Sequence, residues 1–298
     1  MRVLIAFDGS AGAAQAVSLG EGIDWPAGSM IRVVSVMEPT TLQFLPFSMA
    51  AAAPPVLGQD VIASIEAEQA TVVGRLSAPD RVVDAVLLRD RPASGLVDQA
   101  QSFSADLVIV GSRGHGTIAS LLLGSVSAEV VDHAPCPVLV ARRPTLERVV
   151  FATDGSMTAA AAEDVLAGWP IFASVSIRVV SVADIVRPWT TGIAPTMYTQ
   201  ALDAYAKDVA DAEAEHLRMV RESVKRLAEA GRRADAEIRK GDAAAEIIAV
   251  ARESGADLVV VGSRGQTGLT RIVLGSVARN ILLGSDASVL VIHGPAEA

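Results

Sequence analysis

The sequence contains few residues of several types, and each shortage excludes a class of protein. Cysteine occurs once, at Cys136, so an intrachain disulfide is impossible and a reducing compartment is expected. Aromatic residues make up only 4% of the chain, so a core must consist mainly of Val, Ile, Leu and Ala. No apolar run approaches the length of a membrane helix without a charge or a breaker, and the N-terminus reaches Asp8 too soon for a signal peptide. We therefore expect a cytoplasmic protein without a membrane span.

Positive charge is also scarce. The 25 basic residues, of which only three are lysines, are outnumbered by 34 acidic ones, and the net charge is −9. A nucleic-acid backbone would be repelled by such a surface, so we expect no nucleic-acid partner. Hydrophobic residues at 51% and charged residues at 20% are typical of a globular chain that buries a core.

The sequence repeats itself. Three segments of the first half return in the second half, namely residues 2–10 as 148–156, 31–36 as 177–182, and 106–114 as 257–265. A period of about 150 residues is that of a duplicated domain and is too long for a solenoid repeat. We place the two domains at residues 1–143 and 146–294.

Short apolar runs rich in Val, Ile and Leu alternate with Ala-rich helical stretches in both copies. The runs show no polar alternation, which is typical of parallel strands buried on both faces. We expect strands at residues 2–7, 30–36, 82–88, 106–110 and 137–141, and again at 148–153, 176–182, 234–239, 257–261 and 288–292. Ser10 and Pro92 stand where a helix N-cap and a first-turn proline belong. The prediction is α/β, two doubly wound domains with helices on both faces of a parallel sheet.

The second copy has an unusually long second helix in this prediction, at about residues 198–230. It carries many charged side chains, and we interpret them as a solvated face: Glu213, Glu215, Arg218, Arg221, Glu222, Lys225 and Arg226.

A glycine-rich segment follows the fourth strand of the first copy. It reads Gly111-Ser112-Arg113-Gly114, then nine residues, then Gly124-Ser125. In open α/β sheets, ligands bind beyond the carboxyl ends of the strands. Glycines let main-chain N–H groups approach an oxyanion, and a helix that opens at Gly124 turns its positive end to the same place. The Ser125 hydroxyl adds a donor, so the segment predicts a phosphate pocket.

The second copy keeps this spacing with Gly262, Arg264, Gly265, Gly275 and Ser276, although the residues in between differ. An alternative interpretation is that the glycines only form turns, and their recurrence argues against it. Two alternatives stay open for the recurring arginines, Arg113 and Arg264. Each reaches a terminal phosphate or points to solvent.

The glycine spacing resembles the ATP-binding signature of the universal stress protein family. The strand that begins Ala105-Asp106-Leu107-Val108 and the closing run Pro135–Val140 are also similar to that family. The resemblance covers nearly the whole chain twice, as in the tandem type of the family.

The resemblance implies five parallel strands per domain in the order 3-2-1-4-5. It implies that Asp8 and Asp154, with the main chains of Val36 and Val182, recognise adenine. It further implies that the glycine segments hold phosphates and ribose through Gly111, Gly114, Gly124 and Ser125, and through Gly262, Gly265, Gly275 and Ser276. The expected ligand is ATP, accompanied by Mg²⁺.

One position departs from the family pattern. The glycine that often follows the third strand is present as Gly241 in the second copy but is Asp90 in the first. We expect this extra carboxylate to disturb the local turn and to weaken nucleotide binding in the first copy.

Other chemistries are poorly supported. The chain has no Gly-Lys-Ser or Gly-Lys-Thr, and no Gly-x-Gly-x-x-Gly follows the first strand, which argues against a Walker P-loop and a Rossmann dehydrogenase. His115 has Gln266 as its counterpart, so a shared catalytic histidine is excluded, and the histidines suggest no metal cluster. Cys136 is interpreted as a structural thiol. We assign no catalytic residue and expect slow hydrolysis at most.

Three functions therefore compete. The favoured one is a regulatory ATP-binding protein, the second is a slow ATPase or self-phosphorylating enzyme that uses Ser125 or Ser276, and the third is an interaction scaffold without nucleotide. The apolar loop at 44–57 is interpreted as a cover for its own sheet edge, with a lid or a docking surface as alternatives. The sequence names no protein partner and leaves a homodimer open.

Overall fold

A computed structural model describes residues 1–38, 56–114, 123–183, 195–265 and 274–294. The chain divides into two compact units, Met1–Thr145 and Leu146–Ala298. Across the described residues, no helix combines the length and the apolar character needed to cross a bilayer.

The first unit alternates strands and helices throughout. Its elements are β1 (Arg2–Ala6), α1 (Ala11–Gly22), β2 (Ser29–Met37), α2 (Val56–Leu76), β3 (Arg81–Arg89), α3 (Pro92–Ser102), β4 (Leu107–Gly111), α4 (Ser125–His133) and β5 (Val138–Ala141). All strand pairs are parallel, and the order is β3-β2-β1-β4-β5. The predicted doubly wound architecture is confirmed.

The second unit repeats this architecture. Its elements are β6 (Arg148–Ala152), α5 (Met157–Gly168), a 3₁₀ turn (Pro170–Phe172), β7 (Ser176–Ala183), α6 (Pro195–Glu229), β8 (Arg233–Lys240), α7 (Ala243–Glu253), β9 (Leu258–Gly262), α8 (Ser276–Gly284) and β10 (Ser288–Ile292). The parallel order is β8-β7-β6-β9-β10, which is the same 3-2-1-4-5 arrangement.

The central strands are buried on both faces. Val3, Leu4 and Ile5 of β1 are consecutive and fully buried, and Phe151 of β6 is equally inaccessible. Consecutive burial requires cover on both sides of the sheet, because successive side chains point to opposite faces. Each such side chain contributes about 1.5–3 kcal/mol to folding. This apolar centre fixes where the strands end, and the strand ends form the site.

Most helix starts follow the predicted capping rules, and two do not. The Ser10 hydroxyl accepts the N–H of Ala13 at 3.2 Å, and Ser156 does the same for Ala159. Pro92 occupies the first turn of α3. Helices α4 and α8 begin after glycine and have no side-chain cap. Their first-turn N–H groups remain available to another acceptor.

Six of the seven charged side chains predicted to form a solvated face on the long helix are exposed, and Glu213 is half-buried. Arg226 of α6 binds Glu163 of α5, with 2.6 Å between Arg226 Nε and Glu163 Oε1, and the Ser223 hydroxyl donates to the same carboxylate. Glu163 is only 4% exposed, and this burial raises its pKa. Glu213 pairs with Lys240 of β8. Arg226 itself stays 54% exposed, so its ion pair with Glu163 joins the solvated face of α6 to a buried carboxylate of α5.

Candidate functional site

A cavity of about 510 Å³ opens at the carboxyl ends of β1, β2 and β4 in the first unit. One end is apolar and is formed by Val34, Val36 and Leu96. The other end is formed by main chain and hydroxyl groups of the glycine-rich segment and of the first turn of α4. The cavity lining includes every site residue predicted for this unit, namely Asp8, Val36, Gly111, Arg113, Gly114, Gly124 and Ser125.

The carboxylate of Asp8 lies against the glycine-rich segment. Asp8 Oδ1 accepts the N–H of Ser10 at 3.0 Å, which fixes the side chain at the end of β1. A Cβ atom on Gly114 would lie 2.7 Å from Asp8 Oδ2, closer than real Cβ contacts allow. Glycine at position 114 is therefore what lets the carboxylate and the loop approach each other.

The loop after β4 also packs main chain against main chain with the first turn of α1. A Cβ atom on Gly12 would lie 1.9 Å from the carbonyl oxygen of Arg113, and one on Gly111 would lie 2.3 Å from the carbonyl carbon of Gly12. The Ser10 hydroxyl donates to the Arg113 carbonyl at 3.3 Å. These contacts hold Gly111–Gly114 in one place and leave little tolerance for side chains there.

Gly124 differs from these tightly packed glycines. Its N–H donates to the Ser112 carbonyl at 2.8 Å, so α4 starts next to the loop. Its φ of −73° suits any residue, and a Cβ atom there would come no closer than 3.6 Å to another atom. Neither the backbone conformation nor packing against the described residues requires glycine at this position. Because Gly124 has no side chain, the space between the loop and the uncapped start of α4 stays open.

The main chain of Val36 faces the cavity beyond the end of β1. Phe7 N–H donates to Val34 O at 2.9 Å, which is the last such bond before β1 turns away at Asp8. In a strand, residues two apart direct their main-chain groups to the same side. The N–H and C=O of Val36 therefore point past β1, a donor and an acceptor side by side at the apolar end.

The second unit reproduces this geometry. Asp154 Oδ1 accepts the N–H of Ser156 at 3.0 Å, and a Cβ on Gly265 would lie 2.9 Å from Asp154 Oδ2. The Gly275 N–H donates to Ser263 O at 2.8 Å, and Ser276 begins α8. The N–H of Thr153 bonds to Val180 O, which leaves the main chain of Val182 in the position described for Val36.

Two positions that support the loop differ between the units, and sequence reasoning missed both. Thr158 takes the place of Gly12, and its hydroxyl donates to the Arg264 carbonyl. Ser127 lines the first cavity and donates to the Gly111 carbonyl at 2.7 Å, whereas the second unit has Ala278. These positions are not common to both copies, so the repeat does not mark them. Their place within the first turn of a helix is a sequence signal, but it does not identify the carbonyl that each contacts.

The corner after the third strand also differs between the units. Gly241 has a φ of +132°, which favours glycine, and it follows β8. Asp90 follows β3 without a positive φ, and its Oδ1 accepts the N–H of Arg91 at 2.6 Å. The two turns differ in backbone conformation, but their main-chain bond is the same, since the N–H groups of Asp90 and Gly241 donate to Met37 O and Ala183 O at 3.2 Å. Its predicted effect on binding stays a prediction.

The remaining candidates have ordinary structural partners. His133 contacts the Glu129 carbonyl through Nδ1, and His216 Nδ1 lies 2.7 Å from Ser181 Oγ. Among the described residues, no group of three or more His, Cys, Asp or Glu side chains is arranged to hold a metal. Burial, with Asp106 nearby, raises the pKa of Cys136 to about 12. His115 and most of the apolar segment at 44–57 lie outside the described residues.

Comparisons with known proteins agree with this geometry. The profile of the universal stress protein family matches residues 1–142 and again residues 145–293. A universal stress protein of Thermus aquaticus is 32% identical over 148 residues, which are 47% of this chain and 97% of that protein. One from Mycobacterium tuberculosis H37Rv is 30% identical over 202 residues, 64% of this chain and 62% of that protein. The crystal structure of a universal stress protein from Archaeoglobus fulgidus superimposes with a TM-score of 0.66 at 19% identity, covering 99% of this chain and 97% of the other.

Proposed function

Because the chain belongs to the universal stress protein family, as a tandem of two of its domains, we propose that each unit binds ATP as a regulatory ligand. Little or no hydrolysis accompanies this binding. The observation that carries the proposal is the uncapped start of α4 beside Gly124, a glycine that packing against the described part of the chain does not require. An anionic ligand between the loop and α4 accounts for that glycine.

The glycine-rich end of the cavity suits phosphate groups. The first-turn N–H groups of α4 and those of the loop after β4 converge on one space, and the helix dipole places about half a positive charge there. Ser125 and Ser127 line the same end with hydroxyl groups. Phosphate oxygens accept hydrogen bonds from such donors without requiring a basic side chain.

The apolar end of the cavity suits a planar base. Val34 and Leu96 supply apolar contacts, and the Val36 main chain offers an N–H beside a C=O. The edge of adenine carries the complementary pair, a ring nitrogen that accepts beside an amino group that donates. Asp8 stands between the two ends of the cavity and is well placed for the ribose or for the base.

Mg²⁺ enters this proposal as the cation that accompanies ATP. Asp8 and Asp154 are the acidic groups within reach of the loops, and a single carboxylate per site fits a cation that keeps most of its ligands from phosphate and water. Among the described residues, the polar groups shared by the two sites include no second acid or base that would activate water. Turnover assays with Mg²⁺ should therefore give a rate close to the buffer blank. A clearly faster rate would favour an ATPase or a self-phosphorylating enzyme.

Calorimetric titration tests the proposal directly. Protein stripped of bound ligand by unfolding and refolding should bind up to two equivalents of ATP. Gly114→Leu and Gly265→Leu should each remove one site, because the new side chain fills the space between the loop and the aspartate. Gly74→Leu, on an exposed face of α2, is the matched control and should retain both sites. The proposal fails if ATP gives no detectable heat and if the ligand released from fresh protein contains no adenine nucleotide by mass spectrometry. The remaining function would then be an interaction scaffold without nucleotide.

A further inference from the structure

We infer that the two pockets recognise the adenosine part of a nucleotide and are nearly indifferent to its number of phosphates. AMP, ADP and ATP would then compete on nearly equal terms when no Mg²⁺ is present. This inference rests on the proposed function and specifies its ligand class.

The described side chains that line the first cavity carry no net formal charge. Asp8 is the acidic residue among them and Arg113 is the basic one, so their formal charges cancel. A pocket built to attract a triphosphate usually supplies an excess of Lys or Arg. Here the positive contribution comes from main-chain N–H groups and the start of α4, which amounts to about half a charge.

The negative charge lies beside the loop that would hold the phosphates. Asp8 Oδ2 lies 2.7 Å from the position that a Cβ on Gly114 would take, whereas the Arg113 side chain is exposed and therefore screened by water and salt. In the second unit the Asp154 carboxylate likewise lies against Gly265, whereas Arg264, in the place of Arg113, is half-buried. The carboxylate largely cancels the attraction that the main-chain N–H groups offer to an anion.

The charge of the whole chain acts in the same direction. With a net charge of −9, the surrounding field opposes each additional phosphate. New hydrogen bonds from the loop offset the lost hydration of these phosphates but add little beyond that. The apolar contacts of Val34, Val36 and Leu96 and the main chain of Val36 are common to all adenine nucleotides. The adenosine part therefore carries most of the affinity.

The test is calorimetric titration of the ligand-free full chain with AMP, ADP and ATP in buffer that contains EDTA, at low and at high salt. We expect the three dissociation constants to agree within about threefold. Higher salt should leave ATP affinity unchanged or increase it, because screening weakens the repulsion. ATP binding that is more than about thirtyfold tighter than AMP binding, and that weakens as salt increases, would overturn the inference.

The paired variant Asp8→Asn and Asp154→Asn gives a second readout. Asparagine keeps the oxygen that accepts from Ser10 or Ser156 and removes the charge next to the loop. ATP should gain affinity relative to AMP by about tenfold. An unchanged or smaller ratio would contradict the inference. If none of the three nucleotides binds to the parent chain, the proposed function itself fails, whereas binding of ATP alone refutes only the indifference to phosphate number.

Discussion

Replacing Gly124 with alanine should separate ligand binding from folding in the first unit. The added Cβ would lie 3.6 Å from Arg113 Cα and 3.6 Å from Ser112 O, which are ordinary van der Waals distances. Alanine is a poorer N-cap than glycine, but it also restricts the unfolded chain, and the two effects nearly cancel. The free energy of unfolding should therefore change by less than about 1 kcal/mol.

The effect on binding should be much larger. The new methyl group would stand between the loop and the start of α4, where a phosphate oxygen needs to come within about 2.9 Å of a main-chain nitrogen. We expect the affinity of this site for ATP to fall at least about tenfold, which corresponds to about 1.4 kcal/mol. Titration should find one tight site in place of two, and urea unfolding should give nearly the parent midpoint.

Gly12→Ala provides the contrast. Its Cβ would lie 1.9 Å from the Arg113 carbonyl oxygen, so the loop has to move and the unit should lose about 1–3 kcal/mol of stability. Our reasoning would be refuted if Gly124→Ala destabilised the unit as strongly as Gly12→Ala does. It would also be refuted if Gly124→Ala left both ATP sites intact.

Three further predictions concern stability and reactivity. Gly241→Ala should lower the free energy of unfolding by about 1–3 kcal/mol, since the φ of +132° is unfavourable for alanine. Gly74→Ala, on an exposed face of α2 with no described neighbour within 4 Å, should raise the free energy of unfolding by about 0.5–1 kcal/mol. Equal effects of the two substitutions in urea titrations would contradict this prediction. Cys136, with its pKa raised to about 12, should react with a thiol-specific disulfide reagent at pH 8 only after unfolding, so fast labelling of native protein would be inconsistent with a buried thiol. Burial raises the pKa of Glu163, so the stability that this carboxyl contributes is present below its unfolded pKa and is lost as pH rises through its folded value. Relative to the parent, Glu163→Gln should therefore become more stable from about pH 4 to neutral pH, and a difference that is constant with pH would show that the group titrates normally.

The fold was predictable because the sequence repeats a simple pattern. Runs such as residues 106–110 lack polar alternation and thus indicate a parallel sheet, and Ser10 marks a helix start through its own side chain. Strand ends differ from the prediction by at most one residue. Those ends depend on pairing with neighbours, as with Ala183 opposite Lys240, and local sequence does not encode such pairing.

The residues grouped at the candidate site were predicted from spacing and family resemblance, whereas their supports were not. Gly12 and Thr158 contact the main chain of a loop that lies about a hundred residues further along the sequence. Ser127, in the first turn of α4, donates to the Gly111 carbonyl. The sequence around these residues does not mark those contacts. Arg226 is exposed as predicted, but the sequence does not show that it pairs with Glu163, which is buried on the neighbouring helix. Long-range packing decides both cases.

The most direct test of the nucleotide pockets follows the main-chain N–H signals by NMR while ATP is added to the ligand-free chain. We expect the largest shifts at Gly111, Gly114 and Gly124–Ser127, with matching shifts at Gly262, Gly265 and Gly275–Ser276. The signals of Val36 and Val182 should move with them. Saturating ATP that leaves these signals in place, or shifts that map to another surface, would contradict the claim that the loops and helix starts bind the nucleotide.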